Sequence, residues 1–247
     1  MRIAIFSDIH ANREAFDACL IHATRQRADR MIFLGDMVGY GADPLYITDR
    51  VRREIERGAL AIFGNHDEAA VTGDGSSMNQ YARAAIEWTH KTLDADARAF
   101  LTSLPMKIEE DNRLYVHADA SAPSEWRYIL DLHSAERSLL ATDRKLTVCG
   151  HVHRPQLYHM SPGRPPQFFA PQASSPIPLI ASRQWLAVLG AVGQPRDDNP
   201  AAAYCMLDVE KNEITYHRVG YDIERAATKI RDAGLPQMLA ARLYIGR

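Results

Sequence analysis

Short runs of β-branched, aliphatic and aromatic residues in this chain break off into Asp, Asn or His five times. They are Ile5-Phe6-Ser7-Asp8-Ile9-His10, Phe33-Leu34-Gly35-Asp36, Ile62-Phe63-Gly64-Asn65-His66-Asp67, Tyr115-Val116-His117 and Val148-Cys149-Gly150-His151-Val152-His153. An apolar run of this kind is a strand buried on both faces, so its polar residues collect where the chain leaves the sheet. In α/β sheets that carboxyl edge is where ligands bind, because loops from several strands converge there. Between the first runs the period changes. Phe16, Cys19, Leu20 and Ala23 recur at i, i+3, i+4 and i+7, which predicts a helix over 12–26 capped by Asn12. With strands over 2–7, 31–34 and 60–63 and a second helix over 45–56, the chain opens as βαβαβ. That order favours a parallel sheet with right-handed crossovers.

The remainder is more mixed. Residues 79–104 read as two helices, the first with Tyr81, Ala84, Ala85 and Trp88 on one side and the second stopped by Pro105. We take them as a helical insertion, at about 77–104, that covers one rim of the site. Residues 106–110 and 113–117 form a hairpin across Asp111-Asn112, a turn-forming pair, followed by a helix over 133–141 and a strand over 145–149. The stretch 154–200 is rich in Pro, Ser and Gln, with apolar runs at 166–170 and 185–189, and predicts antiparallel strands of a second sheet. A clearer hairpin joins 203–209 to 213–219. The chain ends in helices broken at Gly234-Leu235-Pro236. With no internal repeat and no long linker, residues 1–247 are expected to form one α/β domain.

Composition narrows the chemistry. At 247 residues and a formal net charge of −2, the chain has no overall positive field to hold an extended nucleic-acid backbone. Cys19, Cys149 and Cys205 are isolated, which argues against a disulfide framework or a thiolate zinc site. The first strand begins beside Met1, leaving no room for a signal peptide, and no apolar stretch approaches a membrane span. A soluble, cytoplasmic protein is expected; its oligomeric state is open.

The polar residues at the strand ends have a common character. Asp8 and His10 lie two apart on an extended segment, hence on one side of it; His151 and His153 repeat the spacing. Asp36 offers two carboxylate oxygens, Asn65 a neutral carbonyl oxygen, and His66, next to it, points elsewhere and is free to move a proton. Taken singly, each motif is as readily a turn, a cap or a structural histidine. Taken together they supply the oxygen and imidazole donors that a pair of transition-metal ions requires.

As a set, Asp8-x-His10, Gly35-Asp36, Gly64-Asn65-His66-Asp67, His117 and Gly150-His151-x-His153 resemble the calcineurin-like metallophosphoesterase superfamily. The segments Gly35–Gly41, Val192-Gly193-Gln194-Pro195-Arg196 and Tyr221–Leu235 look like its small bacterial and archaeal phosphodiesterase branch. The resemblance implies a four-layer α-β-β-α sandwich with two mixed sheets face to face. It implies one metal held by Asp8, His10 and His153, another by Asn65, His117 and His151, and Asp36 bridging both, with His66 unbound as the catalytic residue. Asn12 and Arg13, with Asn65 and His66, are the candidates for touching substrate, and Asp67 or Asp43 for orienting His66. The ions would be two divalent or trivalent transition metals, Mn or an Fe/Zn pair, with Co or Ni compatible. The expected activity is hydrolysis of a small or nucleotide-type phosphoester: in-line attack by a metal-bridging hydroxide, with His66 protonating the departing alkoxide. The competing readings are a serine/threonine protein phosphatase and a non-catalytic protein-interaction module on the same fold.

Overall fold

Along the first strand, β1 (Arg2–Phe6), successive side chains are buried on opposite faces: Ile3 and Ile5 on one, Ala4 and Phe6 on the other. A strand covered on both sides needs a layer above and a layer below it. The computed structural model, which describes residues 1–247, supplies both. In chain order β1 is followed by α1 (Arg13–Arg25), β2 (Arg30–Phe33), α2 (Pro44–Glu56), β3 (Leu60–Ala61), α3 (Asn65–Thr72), α4 (Gln80–Thr92) and α5 (Ala95–Thr102). Then come β4 (Lys107–Glu110), β5 (Arg113–Val116), α6 (Leu132–Leu140), β6 (Leu146–Cys149), β7 (Gln156–Met160), β8 (Gln167–Phe169), β9 (Ile177–Pro178) and β10 (Gln184–Val188). The chain closes with β11 (Ala202–Asp208), β12 (Glu213–Val219), α7 (Ile223–Asp232) and α8 (Gln237–Ile245).

The strands form two six-stranded mixed sheets, ordered β3-β2-β1-β11-β12-β9 and β4-β5-β6-β10-β7-β8. Ile3, Ile5, Ile32 and Leu207 of the first sheet meet Tyr115, Val148, Trp185 and Ala187 of the second in one apolar layer between them. Outside the first sheet, Phe6, Phe33 and Tyr204 pack on Phe16 and Cys19 of α1 and Ile47 and Val51 of α2. Outside the second, Leu114, Leu186 and Val188 pack on Ala135 and Leu139 of α6. This is the four-layer α-β-β-α order. No helix is long and apolar enough to cross a membrane.

β1, β2 and β3 run parallel in one sheet, and β5, β6 and β10 run parallel in the other. Three departures from the sequence reading stand out. Residues 65–72, to which the sequence reading gave no element, form α3. β10 lies parallel to β6 and antiparallel only to β7. Within 154–200, β9 joins the first sheet beside β12.

Candidate metal centre

The carboxyl ends of those six parallel strands face one another across the sandwich. Asp8 and His10 follow β1, Asp36 follows β2, Asn65 and His66 open α3 just past β3, His117 follows β5, His151 and His153 follow β6, and Arg196 follows β10. Backbone hydrogen bonds lace the loops together. Asp8 N–H donates to the Gly35 carbonyl (3.2 Å) and His10 N–H to the Asp36 carbonyl (2.9 Å), while Gly193 N–H donates to the Asp8 carbonyl (2.9 Å) and Gly150 N–H to the His117 carbonyl (2.9 Å). Asp8, His10, Asp36, His151 and His153 all have positive φ, between 49° and 66°, a left-handed backbone that costs non-glycine residues roughly 1–2 kcal/mol each.

Three histidines are oriented in the same way. The Nδ1–H groups of His10, His117 and His153 donate to the carbonyls of Val38 (3.1 Å), Leu34 (2.7 Å) and Gln194 (2.6 Å). With Nδ1 protonated, the Nε2 lone pair is left facing inward. His10 Nε2 then lies 3.1 Å from His153 Nε2, and His117 Nε2 lies 3.2 Å from His151 Nδ1 and 3.1 Å from Asn65 Oδ1. Asp36 Oδ2 stands 3.6 Å from His10 Nε2 and 3.3 Å from His117 Nε2, and Asp8 Oδ1 stands 3.4 Å from His153 Nε2. The donor atoms fall into two groups, Asp8-His10-Asp36-His153 and Asp36-His117-His151, which have Asp36 in common and in which every residue is buried.

Lone pairs aimed at one another at such distances repel unless a positive charge lies between them. The geometry therefore fits two cations, or protons in their stead. The ionisation behaviour agrees. Burial opposes charge on His117, yet the carboxylates of Asp36 and Asp8 outweigh it and raise its pKa to about 9. Burial likewise opposes ionisation of Asp8 and Asp36, but the imidazoles around them hold both carboxyls well below the ordinary range. His151 goes the other way: burial, then repulsion from His117, pushes it to about 3.

His66 stands apart from the donor groups. Its backbone N–H donates to Asp36 Oδ1 (2.8 Å), and its ring lies between those of Tyr40 (4.4 Å) and His10 (4.8 Å). Its Nδ1 is buried without a partner, and burial lowers its pKa to about 4. Neither carboxylate expected to orient it does so. Asp67 accepts instead from the backbone N–H groups of Met37 (2.9 Å), Val38 (3.1 Å) and Gly64 (3.1 Å); burial and the charge of Asp36 raise its pKa to about 7. Asp43 pairs with Lys229 (2.7 Å). The residue facing His66 Nδ1 is Gly39, where a Cβ would sit only 2.6 Å from it, on a backbone with φ of +86°.

The expected substrate contacts at Asn12 and Arg13 are likewise engaged elsewhere. Asn12 caps α1 through Ala15 N–H (3.1 Å) and donates to the Gly193 carbonyl (2.9 Å). Arg13 reaches Asp17 and lies 4.0 Å above the Tyr46 ring. Asn65 and His66 do line a cavity of about 580 Å³ beside the centre, with Glu68, Trp126, Tyr128 and His151. Tyr128 stacks on His151 at 4.0 Å, and Trp126 donates to Glu68 (2.8 Å). Met78 and Asn79, just before α4, and Ala82 within it also line this cavity. The sequence reading quoted Tyr40 within its motif without a role and passed over Trp126 and Tyr128, whose loop carries no period or spacing to mark it.

Residues 1–212 match the family model for the calcineurin-like phosphoesterase superfamily domain. The uncharacterised protein MJ0912 of Methanocaldococcus jannaschii is 33% identical over 250 residues, covering 99% of this chain and 98% of its own. A metallophosphoesterase from Sphaerobacter thermophilus superposes with a TM-score of 0.87 at 35% identity, over 100% of this chain and 99% of its own. The protein PH1004 of Pyrococcus horikoshii OT3 shares the fold at a TM-score of 0.81 and 16% identity, over 100% and 98% of the two chains.

Proposed function

This chain belongs to the calcineurin-like phosphoesterase superfamily and is a phosphoester hydrolase; from that premise we propose that it uses two metal ions and acts on small or nucleotide-type phosphoesters. The observation that carries this reading is the pair of buried donor groups with Asp36 in common. Asp8, His10 and His153 would hold one ion, Asn65, His117 and His151 the other, with Asp36 between them. When bound, such an ion pair supplies a nucleophile at neutral pH and offsets the charge of the ester oxygens. The ligand set lacks thiolate and mixes carboxylate, amide and imidazole, which suits Mn or an Fe/Zn pair, with Co or Ni compatible.

His66 is the residue we assign to protonating the leaving alkoxide. It adjoins Asp36 through its backbone, belongs to neither donor group and lines the cavity in which the leaving group would lie. Burial keeps its ring neutral in the free protein, and a phosphate anion beside it favours the protonated form. The cavity is sized for a small ligand. Its wall contains Glu68, Asp74 and Glu125 and no Lys or Arg, which favours an ester whose organic part is uncharged or positive over one extended by further phosphates. Trp126 and Tyr128 offer faces on which a base could stack. We place the reaction in the cytoplasm and in one domain.

The test is a panel of mono- and diesters assayed after chelation and again after each divalent ion is returned singly. Activity lost on chelation and restored by a transition metal supports the reading. Hydrolysis indifferent to chelation, or absent from every ester at full metal loading, sinks it. Phosphopeptides in the same panel decide against or for a protein phosphatase.

A further inference from the structure

The segment from Gly193 to Arg196, past β10, is hydrogen-bonded to the loops that carry Asp8 and His153. Gly193 is tied to Asp8, Gln194 accepts from the His153 ring, and Arg196 N–H donates to the His153 carbonyl (3.2 Å). The Arg196 guanidinium is thereby held beside the site. Its Nη2 donates to the Tyr40 hydroxyl (3.2 Å) and to Gln194 Oε1 (3.1 Å), and its Cζ lies 5.7 Å from the centroid of the Tyr40 ring. That ring in turn packs on His66 and on His10, at 4.4 and 4.6 Å.

Two features of this guanidinium lack an explanation in the fold. Its Nε is buried without a hydrogen-bond partner. It also makes no ion pair; of the other arginines with an unpartnered buried Nε, Arg50 and Arg113 each have a carboxylate, and Arg98, away from the metal centre, donates to the His90 carbonyl. An arginine keeps its charge under all ordinary conditions. Placed without a counter-ion next to a centre built for cations, it raises the energy of the ligand-free state by like-charge repulsion. A neutral side chain would support Tyr40 without that cost. An anion bound between the centre and Arg196 removes both anomalies, and the guanidinium fork matches the oxygens of a phosphoryl group.

We propose that Arg196 is a substrate-binding residue that grips an oxygen of the phosphoryl group, with Tyr40 and Gln194 fixing its guanidinium. The proposal rests on the phosphoester reading above. It assigns to Arg196 the contact that the sequence suggested for Arg13. Because the grip is made to substrate, transition state and product phosphate alike, its removal weakens binding more than turnover.

The experiment compares metal-loaded wild type with Arg196→Gln, Arg196→Lys and Tyr40→Phe. Inorganic phosphate binding is measured by calorimetry, steady-state constants on the best ester of the panel, metal content by elemental analysis, and folding by thermal melts. Losing a charge-assisted hydrogen bond should weaken phosphate binding and raise KM by about 10- to 100-fold in Arg196→Gln. Metal content should stay at the wild-type level, kcat should change less than KM, and Arg196→Lys should recover part of the loss. Unchanged phosphate binding in Arg196→Gln overturns the proposal. So does an equal loss in Tyr40→Phe, which would reduce Arg196 to a prop for the tyrosine, or a loss that merely follows metal depletion. Wild type that binds phosphate through Arg196 yet cleaves no ester defeats the hydrolase reading and leaves this assignment standing.

Discussion

His66 and Asp36 sit in contact and yet answer to different experiments. With its Nδ1 lacking any carboxylate, His66 is held by packing against Tyr40 and His10. General-acid help is typically worth 10²–10⁴-fold, and it matters most where the leaving group is poor. His66→Ala should therefore slow alkyl esters by about that factor and spare nitrophenyl esters; parallel rates across leaving groups of rising pKa would remove the acid role. Asp36 has contacts in both donor groups, so Asp36→Asn should lower the content of both ions along with the rate. Full occupancy of two ions in that variant, by elemental analysis, would contradict the place proposed for Asp36 between them. Asp8, His10, Asp36, Asn65, His117, His151 and His153 were legible because each ends an apolar run, and the fold brings them together. Arg196 was visible in its motif but not as a functional group. Its meaning depends on what its side chain lacks, and a sequence does not display missing partners.

The elements carry the site through a handful of close backbone approaches. A Cβ on Gly193 would come within 1.9 Å of the Ile9 carbonyl oxygen, and backbone cannot swing aside as a side chain does. Gly193→Ala must therefore separate the loop after β10 from the loop after β1, at a cost of about 1–3 kcal/mol. Reduced metal content and a lower melting temperature are expected; a variant with wild-type ion content would show that the two loops need not touch. β1, β2 and β3 could be read from the chain because each is an unbroken apolar run, and α1 because its apolar residues keep a helical period. Residues 65–72 could not, since Gly64, Asn65 and Asp67 also suit a turn; it is Asp67, accepting from Gly64 N–H at the first turn, that lets a helix begin. β7, β8 and β9 lie in a stretch interrupted by Pro, Ser and Gln, and the sheet each joins is settled by its hydrogen-bonded partners rather than by its own pattern.

At the scale of the whole molecule, stability should depend on acidity through buried imidazoles. His217, buried against Tyr204 (5.1 Å) and His22 (5.1 Å), has its pKa lowered from 6.5 to about 4, first by burial and then by the charge of His22. Above pH 6.5 it is neutral in both states and its contribution is complete. Between pH 6.5 and about 4 the unfolded chain takes up a proton that the folded chain refuses, so stability declines across that window. Thermal melts of chelated protein should show this decline, and His217→Phe should shallow it. An identical pH profile in the variant would mean that His217 titrates alike in both states.

The left-handed backbone at Asp8, His10, Asp36, His151 and His153 bears on how such a molecule ages over generations. Glycine would rest more comfortably at every one of these places. A lineage released from its task should drift toward glycine there while its sandwich endures, and the five side chains would be the first record of the lost occupation.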